Sequence, residues 1–408
     1  MSQSTQPVTY RYVLSLPGAA YAFSIAVLGR LAYGTISLPL LFTIQQATGS
    51  FGITGIALGA FGIATLTAPL KSRLMDRHGQ PMVLSILGCS FPIPLVVLAL
   101  LADSLAGSSA LLVGLAALAG LATPPLGPAM RFLWSQIAVS PALRQRAYGM
   151  DSVVEESLYT VGPAIAGGLI ALGRPDIALL LTAGLAVVGT VGLATSSAAR
   201  THGGPRPVEK GARIGLGPLR VRAFLSILIA VVGVGLALGL VEIAVAASAQ
   251  QAGDPGYAGY VLAALALGSV MGGLLWGRAT HRRQRSTQLL ALMTVFALGI
   301  AAASVTQNLI ALAVALFAAG LGLSPVFIVS YLTSDDLVVQ SQRTEATTWI
   351  NTFNNFGWSG GAAVAGWVLS NSTLQLTFLV GALILALATA IVALDRRAIN
   401  TQHLGGRA

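Results

Sequence analysis

Apolar residues run in long blocks along this chain, and short polar stretches separate them. Many blocks reach about 20 residues, the length a helix needs to cross the hydrocarbon core of a bilayer. Spans are predicted over residues 19–45, 51–70, 82–102, 109–133, 148–172 and 176–197. Six more follow over 222–250, 256–278, 287–306, 309–332, 345–370 and 373–394. Helix is the expected form of each, because an unpaired backbone group in lipid costs several kcal/mol. One break is longer and more polar than the rest, the basic, Gly- and Pro-rich stretch SAARTHGGPRPVEKGARIGLGPLR at 198–221. It divides the chain into an N-terminal six-helix half (1–200), a linker (201–220) and a C-terminal six-helix half (221–408). The expected fold class is therefore all-α and polytopic, with about twelve transmembrane helices in two bundles of six.

Composition supports this. The 408 residues are 55% hydrophobic and 9% charged. Soluble domains carry roughly 25% charged residues, so this chain lacks the charge to cover a water-facing surface. Mean hydropathy is +0.79, and 47 glycines suit close helix packing in lipid. The first 17 residues carry only Arg11 and lack the layout of a signal peptide. The apolar block that follows is too long for one and is expected to remain as a span. Cys89 is the single cysteine, which excludes an intrachain disulfide and a multi-cysteine metal site.

Net charge is +10, and its placement fixes its meaning. With the N-terminus placed inside, inner segments hold Arg11; Lys71, Arg73 and Arg77; Arg144 and Arg146; six residues from Arg200 to Arg222; Arg278, Arg282, Arg283 and Arg285; Arg343; and Arg396, Arg397 and Arg407. Those are 20 of the 23 basic residues; the outer loops hold only Arg174, and Arg30 and Arg131 fall within spans. This is the positive-inside pattern of a multi-pass cell-membrane protein with both termini cytoplasmic. It removes the argument for a nucleic-acid partner.

The two halves echo each other. LKSRLMDRHGQP follows the second span and WGRATHRRQRS the eighth, and Asp76-Arg77 aligns with His281-Arg282. Parallel repeats of six spans are one plan of secondary transporters. At these residues the chain resembles the major facilitator superfamily, whose loop signature is Gly-x-x-x-Asp-Arg-x-Gly-Arg. Asp76, Arg77 and Gly79 match it, while Ser72 and Gln80 replace its first Gly and last Arg. The second copy keeps Gly277 and Arg282. The resemblance implies alternating access, with Asp76 and Arg77 serving a gate. The fifth span, YGMDSVVEESLYTVGPAIAGGLI, is similar to the antiporter motif of proton-coupled drug exporters. Gly149, Gly162 and Pro163 fall at the motif's spacing, Leu158 replaces an intervening Gly, and the closing pair is shifted to Gly167-Gly168.

Ionisable groups inside spans cost roughly 2.5–3.5 kcal/mol each on insertion scales, unless paired or wetted. The proton-coupling candidates are Arg30, Arg131, Glu155, Glu156 and Glu242. Arg30, Tyr33 and Ser37 share one face of the first span, and Asp151, Glu155 and Tyr159 one face of the fifth. Arg30 or Arg131 is expected to pair with Glu155, as a structural ion pair or as a switchable one. Glu242 has only small neighbours on its own helix face, Gly235, Gly239 and Ala246. It is a proton site, an anchor for a cationic substrate, or a partner of Arg30 across a cavity. Asn351, Asn354, Asn355 and Trp358 fall at i, i+3, i+4 and i+7 of the eleventh span. With Tyr33 and Tyr159 they are substrate-cavity candidates, and interhelical hydrogen bonding is the other reading of the amides. Pro124, Pro125 and Pro128 interrupt the fourth span.

The four histidines lie in predicted loops or the tail, no metal-ligand spacing occurs, and no phosphate loop is present. Neither an enzyme nor a cofactor is expected. The expected protein is a monomeric secondary transporter with protons, a small-molecule substrate and the bilayer as partners. Export of a small amphiphilic organic compound is the favoured direction. Import of a polar metabolite, or a sensor on the same scaffold, are the alternatives.

Overall fold

The computed structural model describes residues 9–205, 218–278, 283–338 and 343–396. Two short helices, Tyr10–Ser15 and Ser197–His202, accompany twelve long helical segments. The first six are α1 (Ala19–Thr48), α2 (Phe51–His78), α3 (Gln80–Leu101), α4 (Ser109–Ile137), α5 (Pro141–Ala171) and α6 (Pro175–Thr195). The second six are α7 (Arg222–Gln251), α8 (Tyr257–Arg278), α9 (Arg285–Ala303), α10 (Leu309–Leu337), α11 (Arg343–Asn371) and α12 (Leu374–Leu394). Among the described residues, ten of these are long and apolar enough to cross a membrane. The other two, α5 and α11, carry the most polar sequences, and their length alone would suffice.

Several helices outrun the apolar blocks that predicted them, mostly at one face of the molecule. Helix α2 continues from the expected end at 70 to His78, α4 from 133 to Ile137 and α10 from 332 to Leu337; α5 begins at Pro141 rather than 148. Helical hydrogen bonds are internal to the segment, so a helix need not stop where its apolar block stops. Lys71, expected in a loop, therefore sits inside α2 and is buried.

Proline sets the interruptions. Helix α3 bends at Phe91, before Pro92 and Pro94, and α2 at Leu66-Thr67, before Pro69. Helix α4 opens completely between Ala122 and Leu126, through Thr123-Pro124-Pro125. Two prolines remove two donors from the ladder, and each ring displaces the preceding turn. Helix α1 bends at Ile36, before Pro39.

The two bundles meet along two seams. In one, the Phe51–Thr65 part of α2 lies along α11, while the Ala68–His78 part packs on α3. A Cβ on Gly55 would lie 2.5 Å from the carbonyl of Ala362 and 2.9 Å from the Cα of Gly366. In the other, α5 lies along α8, and a Cβ on Gly167 would meet the carbonyl of Gly256 and the Cα of Gly259 at 2.7 and 2.8 Å. Both close contacts lie toward the end of the molecule that carries the α1–α2 and α5–α6 turns. Without a hydrophobic drive between helices in lipid, such backbone approach supplies the dispersion contact that holds them. At the opposite end, Gly149 of α5 and Gly277 of α8 face open space.

Candidate functional site

Three ion pairs in the first bundle form a chain. Arg30 of α1 donates through Nη1 to Asp151 Oδ1 of α5 at 2.8 Å, with both side chains about 1% exposed. Asp151 Oδ2 lies 3.6 Å from Nε of Arg131 on α4, and Arg131 Nη2 reaches Glu155 Oε2 at 2.5 Å. Arg131 is 48% exposed and Glu155 24%, so the chain runs from a sealed pair to an accessible one. Two arginines and two carboxylates sum to zero charge, and this permits their burial. Arg131 meets Glu155 as expected. Arg30 does not: its partner is Asp151, one turn earlier on the same face of α5. The Glu156 side chain lies outside the described residues.

Tyr33, one turn beyond Arg30, turns toward the opening in α4. Its hydroxyl donates to the carbonyl of Pro124 and accepts from the N–H of Leu126. Tyr33 is thus a peg in the α4 break. Tyr159 is half exposed.

Glu242 of α7 belongs to a different arrangement. Trp358 of α11 donates through Nε1 to Glu242 Oε2 at 2.7 Å. Ser37 of α1 hydrogen-bonds the same carboxylate. The anticipated meeting with Arg30 does not occur, since Arg30 is engaged by Asp151. Both partners of Glu242 are neutral, and one belongs to the other bundle. Trp358 also stands at the α2–α11 seam, against Gly62.

The remaining amides of α11 separate. Asn351 and Asn355 are exposed. Asn351 Oδ1 accepts from the Tyr331 hydroxyl of α10 at 2.7 Å, and Asn354 Oδ1 is buried without a hydrogen-bond partner among the described residues. At the α2–α3 turn, Asp76 and Arg77 are exposed and make no ion pair among the described residues. Gly79 turns the chain there at φ +90°, which any residue with a Cβ resists. The next N–H, of Gln80, donates to the carbonyl of Gly203 at 2.7 Å. The second motif copy, His281-Arg282, lies outside the described residues. In α5, Gly162 packs on Gly34 of α1, Pro163 and Gly167 pack on α8, and Gly168 has only the Tyr260 hydroxyl within reach. A separate cavity of about 770 Å³ lies between α8 and α10, lined by Tyr257, Tyr260, Val261, Gln307 and Phe317; none of the candidates above lines it.

Comparison with known proteins agrees with this architecture. Residues 223–405 match the sequence model of the Major Facilitator Superfamily. The solved nucleoside transporter NupG resembles the chain with a TM-score of 0.76 at 12% identity, covering 93% of this chain and 98% of that one. PepTSo, a POT family transporter, gives 0.71 at 13% identity over 97% and 99%. The human organic anion transporter MFSD10 (TETRAN) gives 0.62 at 14% over 95% and 100%. No curated protein sequence matches the chain. The C-terminal half of the chain thus matches the Major Facilitator Superfamily in sequence, and the whole chain shares the fold of these solved transporters.

Proposed function

We propose that this transporter is a proton-coupled exporter of small amphiphilic organic compounds. The observation that supports this most is the Glu242 carboxylate, held by Trp358 of its own bundle and Ser37 of the other. An ionised carboxylate accepts both hydrogen bonds with charge assistance. A proton on Glu242 weakens both, and with them the hold of α7 on α1. A loss of about 1.4 kcal/mol at such a contact shifts a two-state balance tenfold. Proton exchange at Glu242 thereby biases the arrangement of the bundles, as a population shift requires. The antiporter-like glycines of α5 favour export.

In this reading the termini and the Asp76-Arg77 turn face the cytoplasm of the cell membrane, and the seams close the outer side. The exposed Asp76 is then a gate residue released from its partner. The chain divides into halves at 1–200 and 221–408 about the 201–220 linker and works as a monomer. Export is tested in energised inverted vesicles with a pH indicator and a panel of amphiphilic compounds. The expected result is compound-induced proton movement with the native chain and none with Glu242→Gln. Absence of proton movement with every compound, or full coupled transport by Glu242→Gln at unchanged pH dependence, overturns the proposal.

One observation favours a second reading, import of a polar metabolite: the exposed amides Asn351 and Asn355 on α11, together with the likeness to a nucleoside transporter. Inward uptake of labelled nucleosides by intact cells distinguishes it.

A further inference from the structure

The opening in α4 leaves a specific deficit. A helical carbonyl accepts from the N–H four residues on, so Gly120 and Leu121 look to positions 124 and 125. Both are proline and neither has an N–H to give. The carbonyls at the end of Ser109–Ala122 also carry the negative end of that segment's dipole. Lys71 answers the second need and part of the first, in which the Gly120 carbonyl also accepts from the Thr123 N–H at 3.3 Å. Its Nζ donates to the carbonyl of Gly120 at 3.2 Å and to that of Thr123 at 3.0 Å. The lysine reaches them because α4 lies against α2 at Gly120, where an added Cβ would strike the backbone of Phe61. Lys71 is 5% exposed, and no carboxylate pairs with it among the described residues.

Carbonyls at a broken helix, at the negative end of a half-helix, are the groups with which some transporters hold a coupling cation. We propose that the α4 break is a small monovalent-cation site, occupied by this protein's own ammonium group. Lys71 is thus a tethered cation. It fixes the break, and the break positions Arg131 on the following half of α4. The native chain then needs no free cation at this place, while a chain without the ammonium gains a vacancy for one. This is independent of the proton-coupling reading, because Lys71 touches neither Glu242 nor the Arg30 cluster.

The test uses the full chain purified in detergent, with tryptophan fluorescence as the melting readout. Lys71→Ala is expected to melt several degrees lower than the native chain. Methylammonium at tens of millimolar is expected to restore at least half of that loss, while choline at equal ionic strength does not, being too large for the gap. The native chain is expected to respond to neither. Lys71→Met fills the gap without charge; it is expected to lose stability and to gain nothing from methylammonium. An undiminished melting point in both variants, or equal effects of methylammonium and choline on Lys71→Ala, overturns the proposal. If Lys71→Ala yields no folded protein, Lys71→Gln takes its place; a native melting point for that neutral variant also overturns it.

Discussion

Two of the places where this protein keeps charge inside its helices are built on opposite principles. In the first bundle, Arg30, Asp151, Arg131 and Glu155 are joined by ion pairs into a neutral set spanning α1, α4 and α5. At the seam, Glu242 has only the indole of Trp358 and the hydroxyl of Ser37 among the described residues. Removing Asp151 or Arg30 from the neutral set strands a buried opposite charge. Changing the charge of Glu242 strands nothing, because its partners are uncharged. The first arrangement resists change, and the second tolerates it at a point that touches both bundles. On the proposed reading, the paired set belongs to the framework and Glu242 to the moving part.

The contrast breaks most visibly at Asp151. Asp151→Leu leaves the Arg30 guanidinium buried without its carboxylate, a cost of about 3–5 kcal/mol. Loss of folded protein, or a fall of many degrees in melting temperature, is expected. The double variant Arg30→Leu/Asp151→Leu should recover most of the loss, since it removes both charges together. A double variant no more stable than the single one would show that the pair is not the source.

Next in size is Gly55→Leu. Its side chain would occupy the place of the Ala362 carbonyl and the Gly366 backbone, so α2 and α11 should fail to close. Transport is expected to fall by at least about tenfold, roughly 1.4 kcal/mol of lost closure. Accessibility of a cysteine placed at Ser370 to a membrane-impermeant thiol reagent should rise. The seam is not a moving contact if transport persists.

Glu242→Gln sharpens the other side of the comparison. It keeps size and polarity, so its melting temperature should stay close to native while transport loses its pH dependence. The smallest effect belongs to Glu155→Gln. Its pair with Arg131 is partly solvated, and such pairs contribute about 0–1 kcal/mol. Stability should barely move, and full proton-coupled transport by this variant would remove Glu155 from the coupling path.

Much of the scaffold was legible in the chain, because lipid permits few backbone forms and apolar length alone places the spans. The overrun of α2, α4, α5 and α10 was not, since beyond the hydrocarbon a helix and a loop are equally polar in sequence. Arg30, Arg131, Glu155 and Glu242 stood out through the cost of charge in lipid. The pairing between them was harder. Asp151 lies four residues before Glu155 on the same face, and the axial register of α5 against α1 brings it rather than Glu155 to Arg30. Ser37 meets Glu242 only through the packing of α1 against the second bundle, for which no local pattern exists. Lys71 was counted among loop charges. Its signal lay elsewhere in the chain, in Pro124-Pro125, which leave carbonyls that something must satisfy.

The glycine seam between α2 and α11 has a consequence for speed. Gly55, Gly59, Ala362, Ala363 and Gly366 meet there largely through backbone. Glycine and alanine have no rotamers to surrender on burial. Closing this face therefore orders almost nothing, and parting it releases almost nothing. Leucines interlocked across the same face would have to find their sockets on every cycle. Two smooth surfaces have no such search, so in the proposed transport cycle the slow step should lie in the ligands and their protons, and not in the joint.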